Sequence, residues 1–253
     1  MNLTMSDKQV IFILAMPKSA SSTLVEALSK YLLLPIKNNE FRTRLRSYER
    51  KKLLSNIFNV FVSPFPTLAH WHSDVAYSKQ AYEYAFENLA PGIYKIHLPY
   101  LELVNLHIDK YKFIVQRRDP SDAASAYLRG HESKVYPWRH PSNSGDPKTL
   151  DLVRSELVSF DNRMLSLANK LSLPIIDFKK NILGSNLSEL CSYIGGKEDC
   201  TRLRLGKFRY SRSNPSKKFK EGIFFGNFMP LRLMYKFFGM RITRIIMLLL
   251  NKA

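Results

Sequence analysis

The sequence is short of cysteine, of acid and of long apolar runs, and each shortage excludes something. Cys191 and Cys200 are its only cysteines, too few for a disulfide framework and without metal-ligand spacing. A reducing compartment is the expectation. No apolar stretch approaches the roughly 20 residues that span a bilayer; Ile245 to Leu250 is far shorter. Asp and Glu total 21 against 39 Lys and Arg, a formal net charge of +18. Solubility does not ask for so much, so an anionic partner is the natural reading: nucleotide phosphate, acidic glycan, lipid head group or nucleic acid. The N-terminus imitates a secretory signal, with Lys8 ahead of the apolar run Val10 to Met16. Asp7 beside that lysine argues against a signal, and the small residues after the run have a better use. A cytoplasmic protein is expected, with no internal repeat.

A chain of 253 residues that is 45% hydrophobic suits one domain with a full-sized core. Val10 to Met16 reads as a buried strand, continuous and rich in β-branched residues. Ser21 or Ser22 then caps a helix whose Leu24, Ala27, Leu28 and Tyr31 share a face, ending at Pro35. Residues 37–56 are basic and helical, with a solvated face as the plain reading. "GIYKIHLPY" and "YKFIVQRRDPSDAASAYLRG" each run from a short strand into polar residues, with a helix from Leu101 to Asp109 between them. Pro120 fits the first turn of the next helix. A Pro-, Ser- and Gly-rich loop leads to a long amphipathic helix at about Leu150 to Leu171. "PIIDF" is a further strand, and Leu187 to Ile194 a helix stopped by Gly195 and Gly196. Strands alternating with helices predict an α/β fold, a single three-layer α/β/α domain around a central parallel sheet.

"MPKSASST", residues 16–23, joins the first strand to the first helix through small residues and one lysine. Unpaired N–H groups and the helix dipole converge at such a bend, small side chains let phosphate oxygens approach the backbone, and Lys18 adds a full charge. Ser21, Ser22 and Thr23 add hydroxyl donors. The pattern is not GxxxxGK[ST], because the lysine opens the turn and no glycine flanks it, so a magnesium-dependent kinase is disfavoured.

"PKSASST" resembles the PKSGTT turn of the sulfotransferase superfamily, "KIHLPY" (Lys95 to Tyr100) the KTHLP segment of its cytosolic branch, "VQRRDPSDAASAY" the strand and helix that hold the cofactor's 3′-phosphate, and "FKEG" (Phe219 to Gly222) the FRKG element. The resemblance covers most of residues 10–226. It implies a P-loop NTPase-like sulfotransferase fold over residues 8–228, followed by a basic amphipathic helical tail at 229–253. It also implies 3′-phosphoadenylyl sulfate as co-substrate, with no metal. On that resemblance Lys18 steadies the leaving phosphate, His97 deprotonates the acceptor hydroxyl and Lys95 helps bind the sulfuryl oxygens. The turn, Lys18, Ser19, Ala20, Ser21, Ser22 and Thr23, holds the 5′-phosphosulfate.

Arg118 with Ser125 matches the 3′-phosphate site, although the serine falls one residue early; Arg117 in the arginine role restores the spacing. Lys220 and Gly222 contribute from the "FKEG" element, where lysine keeps the charge of the family arginine but not its fork. Ala20 stands where the family has glycine, which costs nothing if its φ is negative and adds strain if it is positive.

His70 and His72 around Trp71 lack an evident third metal ligand, so acceptor binding or core packing is the better reading. Tyr136 and Trp138 offer aromatic faces to a sugar or apolar acceptor. In the tail, Arg232, Lys236 and Arg244 fall near one helical face, as expected either of a helix at the inner, anionic membrane surface or of one docked on the core. The expected activity is transfer of a sulfuryl group to a hydroxyl on a carbohydrate or lipid-linked glycan. The alternative is a catalytically inactive relative that binds anionic membrane or nucleic acid; of the two partners, nucleic acid is disfavoured.

Overall fold

The computed structural model describes residues 9–55, 63–65, 68, 75, 77–132, 147–183 and 187–194. Its sheet has four strands in the order β2-β1-β3-β4: β1 (Val10–Ala15), β2 (Gly92–Ile96), β3 (Lys112–Arg117) and β4 (Ile175–Asp177). Every pairing is parallel. Helices α1 (Ser21–Leu32), α2 (Asn38–Ser55), α3 (Lys79–Phe86), α4 (Glu102–Asn105), α5 (Pro120–Glu132), α6 (Pro147–Leu171) and α7 (Ser188–Ile194) connect and cover the strands, with a π-helical turn at Phe178–Leu183. The α/β architecture with a central parallel sheet is the one expected.

Strand alternation builds the three layers. Phe12, Leu14, Tyr94, Phe113 and Val115 face one side, where Phe41, Leu45, Phe86 and Phe160 meet them. Ile11, Ile13, Ile93, Ile114 and Ile176 face the other, against Leu24, Leu28, Leu190 and Ile194. Both faces are apolar, which is why β1 reads as a continuous run rather than an alternating one. Phe12 is the hub of the first layer, its ring 4.9 Å from Phe86, 5.1 Å from Tyr94 and 5.3 Å from a stacked Phe113.

Several expected elements change on folding. The helix expected from Leu101 to Asp109 is only Glu102–Asn105, followed by turns. α6 starts earlier than expected, at Pro147, where a missing N–H costs nothing. α3 was not anticipated, although Ser78 caps it, accepting from Ala81 N–H at 3.3 Å. α2 is not simply a solvated basic helix: Phe41, Leu45 and Glu49 are buried along one face. The Glu49 carboxylate accepts the Ser78 N–H at 2.6 Å. Cys191 is disulfide-bonded, so a scarcity of cysteine limits how many bridges form, not whether one does; Cys200, the sequence's other cysteine, lies outside the described residues. Among the described residues no helix is long and apolar enough to cross a membrane.

Burial, with Glu40 second, pushes the Tyr94 phenol up to about 12, and burial with Glu49 and Glu102 does the same to Tyr100. A phenol is neutral when protonated, so both groups add stability that is complete below the unfolded value of 10.0 and lost as pH rises toward about 12. Chemical unfolding followed across that interval should show the wild type losing stability more steeply than Tyr94→Phe or Tyr100→Phe. Equal slopes would mean that neither ring is held protonated by the fold.

Candidate active site

β1 sends the chain toward β2, whereas its neighbour β3 sends it the other way toward β4. The crevice between the carboxyl ends of β1 and β3 is therefore the switch point at which such sheets bind ligands. The bend Met16 to Ala20 lines one side of it. The residues that close β3, Gln116 to Arg118, line the other.

Lys18 and Ala20 have φ of 63° and 61°, in the left-handed region that costs a side-chain-bearing residue about 1–2 kcal/mol. Ala20 is thus a strained residue, the costly branch of the two expected. The expectation of a serine cap is corrected: Ala20 is the N-cap of α1 and no side chain caps the helix. The left-handed turn at Ala20 carries Ser21 into the helix, where its side chain is buried. The first turn of α1 consequently receives no side-chain cap from its N-cap residue. Within the bend, Ser19 N–H returns to Met16 O at 3.2 Å and Thr23 N–H to Ala20 O at 3.0 Å. The N–H of Ala20 meets no acceptor among the described residues. Ser19 is fully buried.

Alternation along β3 separates the two arginines. Phe113 and Val115 face α6, and Arg117 continues that set. It makes a bidentate pair with the buried Asp161 of α6, Nε at 3.0 Å and Nη2 at 2.7 Å, and a third bond to Asp177 at 3.2 Å. The Asp161 hydrogen bond, above all, raises the guanidinium's affinity for its proton. Ile114 faces α1, and Gln116 and Arg118 follow it. Arg118 stacks 4.5 Å above the Phe178 ring and donates Nη1 to Lys18 O at 3.2 Å. Its buried Nε meets no partner among the described residues. Arg117 is therefore taken up by carboxylates while Arg118 lies against the bend.

His97, just past β2, is 3% exposed. Its Nδ1 lies 2.7 Å from Ala15 O; a carbonyl can only accept, so Nδ1 carries the proton and the lone pair of the neutral ring sits on Nε2. Tyr82 donates its hydroxyl to the His97 carbonyl at 3.3 Å. Lys95 is held through its backbone by Asn38 at 2.6 Å, and its Nζ reaches Ser22 Oγ at 3.4 Å. The two side chains so reach the residues that flank the bend, Ala15 at the end of β1 and Ser22 in the first turn of α1.

Asp119 caps α5 as anticipated by Pro120, accepting from Asp122 N–H at 2.9 Å. Ser125 is half-buried in the second turn of α5. Lys220, Gly222, His70, Trp71, His72, Tyr136, Trp138 and the tail at 229–253 lie outside the described residues. Among the described residues no group of three or more His, Cys, Asp or Glu is disposed to hold a metal ion.

Gln116, Asp161 and Asp177 are the site-supporting residues that motif reading missed. Period-two alternation through "FIVQRR" was the available signal, since it puts Gln116 and Arg118 on one side and Arg117 on the other.

No protein-family model and no curated protein matches the chain. Among solved structures, a crystal structure of a sulfotransferase from Alicyclobacillus acidocaldarius is similar with a TM-score of 0.44 and 14% identity, over 76% of this chain and 83% of that one. So distant a likeness carries no argument, and the functional reading rests on the chain's own residues.

Ala20→Gly removes the left-handed penalty but frees the unfolded chain, so a net gain of about 0.5–1 kcal/mol is expected. Urea unfolding at unchanged slope should move to a higher midpoint; a lower midpoint would contradict the positive φ. Asp161→Ala strips Arg117 of its main partner, and because that guanidinium is partly exposed the cost should be about 2–3 kcal/mol, below the range for a fully buried pair. A loss within a few tenths of a kcal/mol of zero would show that Asp177 alone suffices.

Proposed function

We propose that the chain is a sulfotransferase that moves a sulfuryl group from 3′-phosphoadenylyl sulfate to an acceptor hydroxyl. The observation that carries this reading is the convergence, on one bend at the sheet's switch point, of an uncapped helix start, the Arg118 guanidinium and a histidine whose tautomer is fixed. The four sequence motifs of the resemblance fall in the order this fold requires and lend it separate support.

The donor supplies a phosphosulfate whose S–O bond breaks with its electron pair leaving on the bridging phosphate oxygen, while a new S–O bond forms to the acceptor. The main-chain N–H groups of the bend and of the first turn of α1 receive the 5′ end, where they need no reorganisation as charge grows. Lys18 opens that bend and matches the family lysine that steadies the departing oxygen. Arg118 receives the 3′-phosphate: its planar fork suits phosphate, and its buried Nε would gain an acceptor that none of the described residues supplies. Ser125, Lys220 and Gly222 complete that end on the resemblance alone.

His97 takes the acceptor proton on Nε2, because its Nδ1 proton is committed to Ala15 O. Lys95, beside Ser22, holds sulfuryl oxygens. The acceptor is assigned to a carbohydrate or lipid-linked glycan on the strength of the basic surface and tail, with the tail at an anionic membrane face. That the donor binds without a metal ion is what the resemblance implies.

Calorimetric titration with 3′,5′-adenosine bisphosphate tests the reading. The wild type should bind saturably, and Lys18→Ala and Arg118→Ala should each weaken binding about 10- to 100-fold, as loss of a charge-assisted contact does. His97→Ala should keep the affinity and lose turnover. A wild type that ignores the nucleotide but binds RNA or anionic vesicles with steep salt dependence would replace this reading with the non-catalytic one.

A further inference from the structure

Gln116 is completely buried, yet it uses little of its hydrogen-bonding capacity. Nε2 donates to Ser19 O at 2.7 Å, and among the described residues Oε1 meets no partner; nor does the buried Ser19 hydroxyl. A buried amide with an unmet oxygen costs free energy that an apolar side chain of the same volume would not. Packing does not call for it, since the neighbouring inward positions on this strand are Ile and Val. Its one side-chain bond goes to the bend.

That bond has a directional consequence. A trans peptide is planar, with its C=O and the following N–H pointing opposite ways. Drawing Ser19 O toward β3 turns the Ala20 N–H the opposite way, where it meets no acceptor among the described residues. Gln116 grips the bend a second time through its backbone, accepting Met16 N–H at 2.8 Å. One residue thus anchors both ends of a turn whose Lys18 and Ala20 are left-handed. Strained conformations of this kind persist only where the surroundings over-determine them. Rotation of the Ser19–Ala20 peptide would relieve Ala20 and turn its N–H away, and the amide of Gln116 opposes that rotation.

We infer that Gln116 is a positioning residue, which holds the Ser19–Ala20 peptide so that the Ala20 N–H faces the 5′-phosphate end of the bound nucleotide. The inference rests on the nucleotide reading above and assigns this residue a share of its selectivity. The expected discrimination is between ligands with and without a 5′-phosphate. Gln116 should govern how much better the site binds 3′,5′-adenosine bisphosphate than adenosine 3′-monophosphate, and should not affect the monophosphate itself.

The test is titration of both nucleotides against wild type, Gln116→Met and Gln116→Glu in the full chain. Methionine keeps the volume without a donor, and should cut the preference for the bisphosphate about tenfold while leaving monophosphate affinity unchanged. Glutamate keeps the shape and can donate to Ser19 O only when protonated. Its preference should approach the wild type's at low pH and fall below it as pH rises, each value taken against wild type at the same pH. A purely structural role would weaken both nucleotides together in either variant, and that result, or an unchanged preference, would overturn the inference while leaving the nucleotide reading intact. Failure of the wild type to bind either nucleotide would overturn both. Should Gln116→Met not fold, the pH profile of Gln116→Glu decides alone: a ratio that tracks wild type at every pH would count against the positioning role.

Discussion

Two hydrogen bonds from the end of β3 to the bend after β1, Gln116 to Ser19 O and Arg118 to Lys18 O, are the contacts on which the site depends. They tie a strained turn to the interior of the sheet. β1 is buried on both faces and paired on both edges, so the bend begins from a fixed point. The helix that follows begins without a side-chain cap. Unmet N–H groups in a protein are costly unless water or a ligand receives them, and here they gather where the sheet's connectivity opens a crevice.

The same strand end allocates charge. Asp161 and Asp177 bind Arg117 on the α6 face, which removes one of two adjacent guanidiniums from the crevice. Arg118, one residue further and on the opposite face, keeps a donor unmet among the described residues. Asp177 also accepts the N–H groups of Lys179 and Lys180 at 2.9 and 3.1 Å. The carboxylate that occupies Arg117 therefore also shapes the π-helical turn carrying Phe178, the ring beneath Arg118. Ion pairing on one side and stacking on the other are mechanically joined, so the arginine pair behaves as a unit despite facing opposite layers.

Much of this was legible in the residues. The apolar run of β1, the Asp-Pro start of α5 and the alternation of strands with helices all follow from periodicity and local chemistry, and the folded chain keeps them. Other features were not. α2 carries so many lysines and arginines that its buried stripe of Phe41, Leu45 and Glu49 is hidden by composition. α4 stops after four residues because tertiary contacts, not propensity, decide a short connection between two strands. Serine at the start of α1 looked like a cap because capping is a local preference; the left-handed Ala20, held from β3 about a hundred residues away, overrode it.

The sequence by itself determined the order of elements, the double-sided burial of the sheet and the presence of small residues and cations at the right ends of the strands, since each follows from spacing within a few residues. Which arginine faces the bend, which tautomer His97 adopts and which way the Ser19–Ala20 peptide points were decided only by the tertiary structure. Each depends on a partner distant in sequence: Asp161 for Arg117, Ala15 O for His97, Gln116 for Ser19. No local pattern encodes a hydrogen bond whose two ends meet only after the sheet has closed.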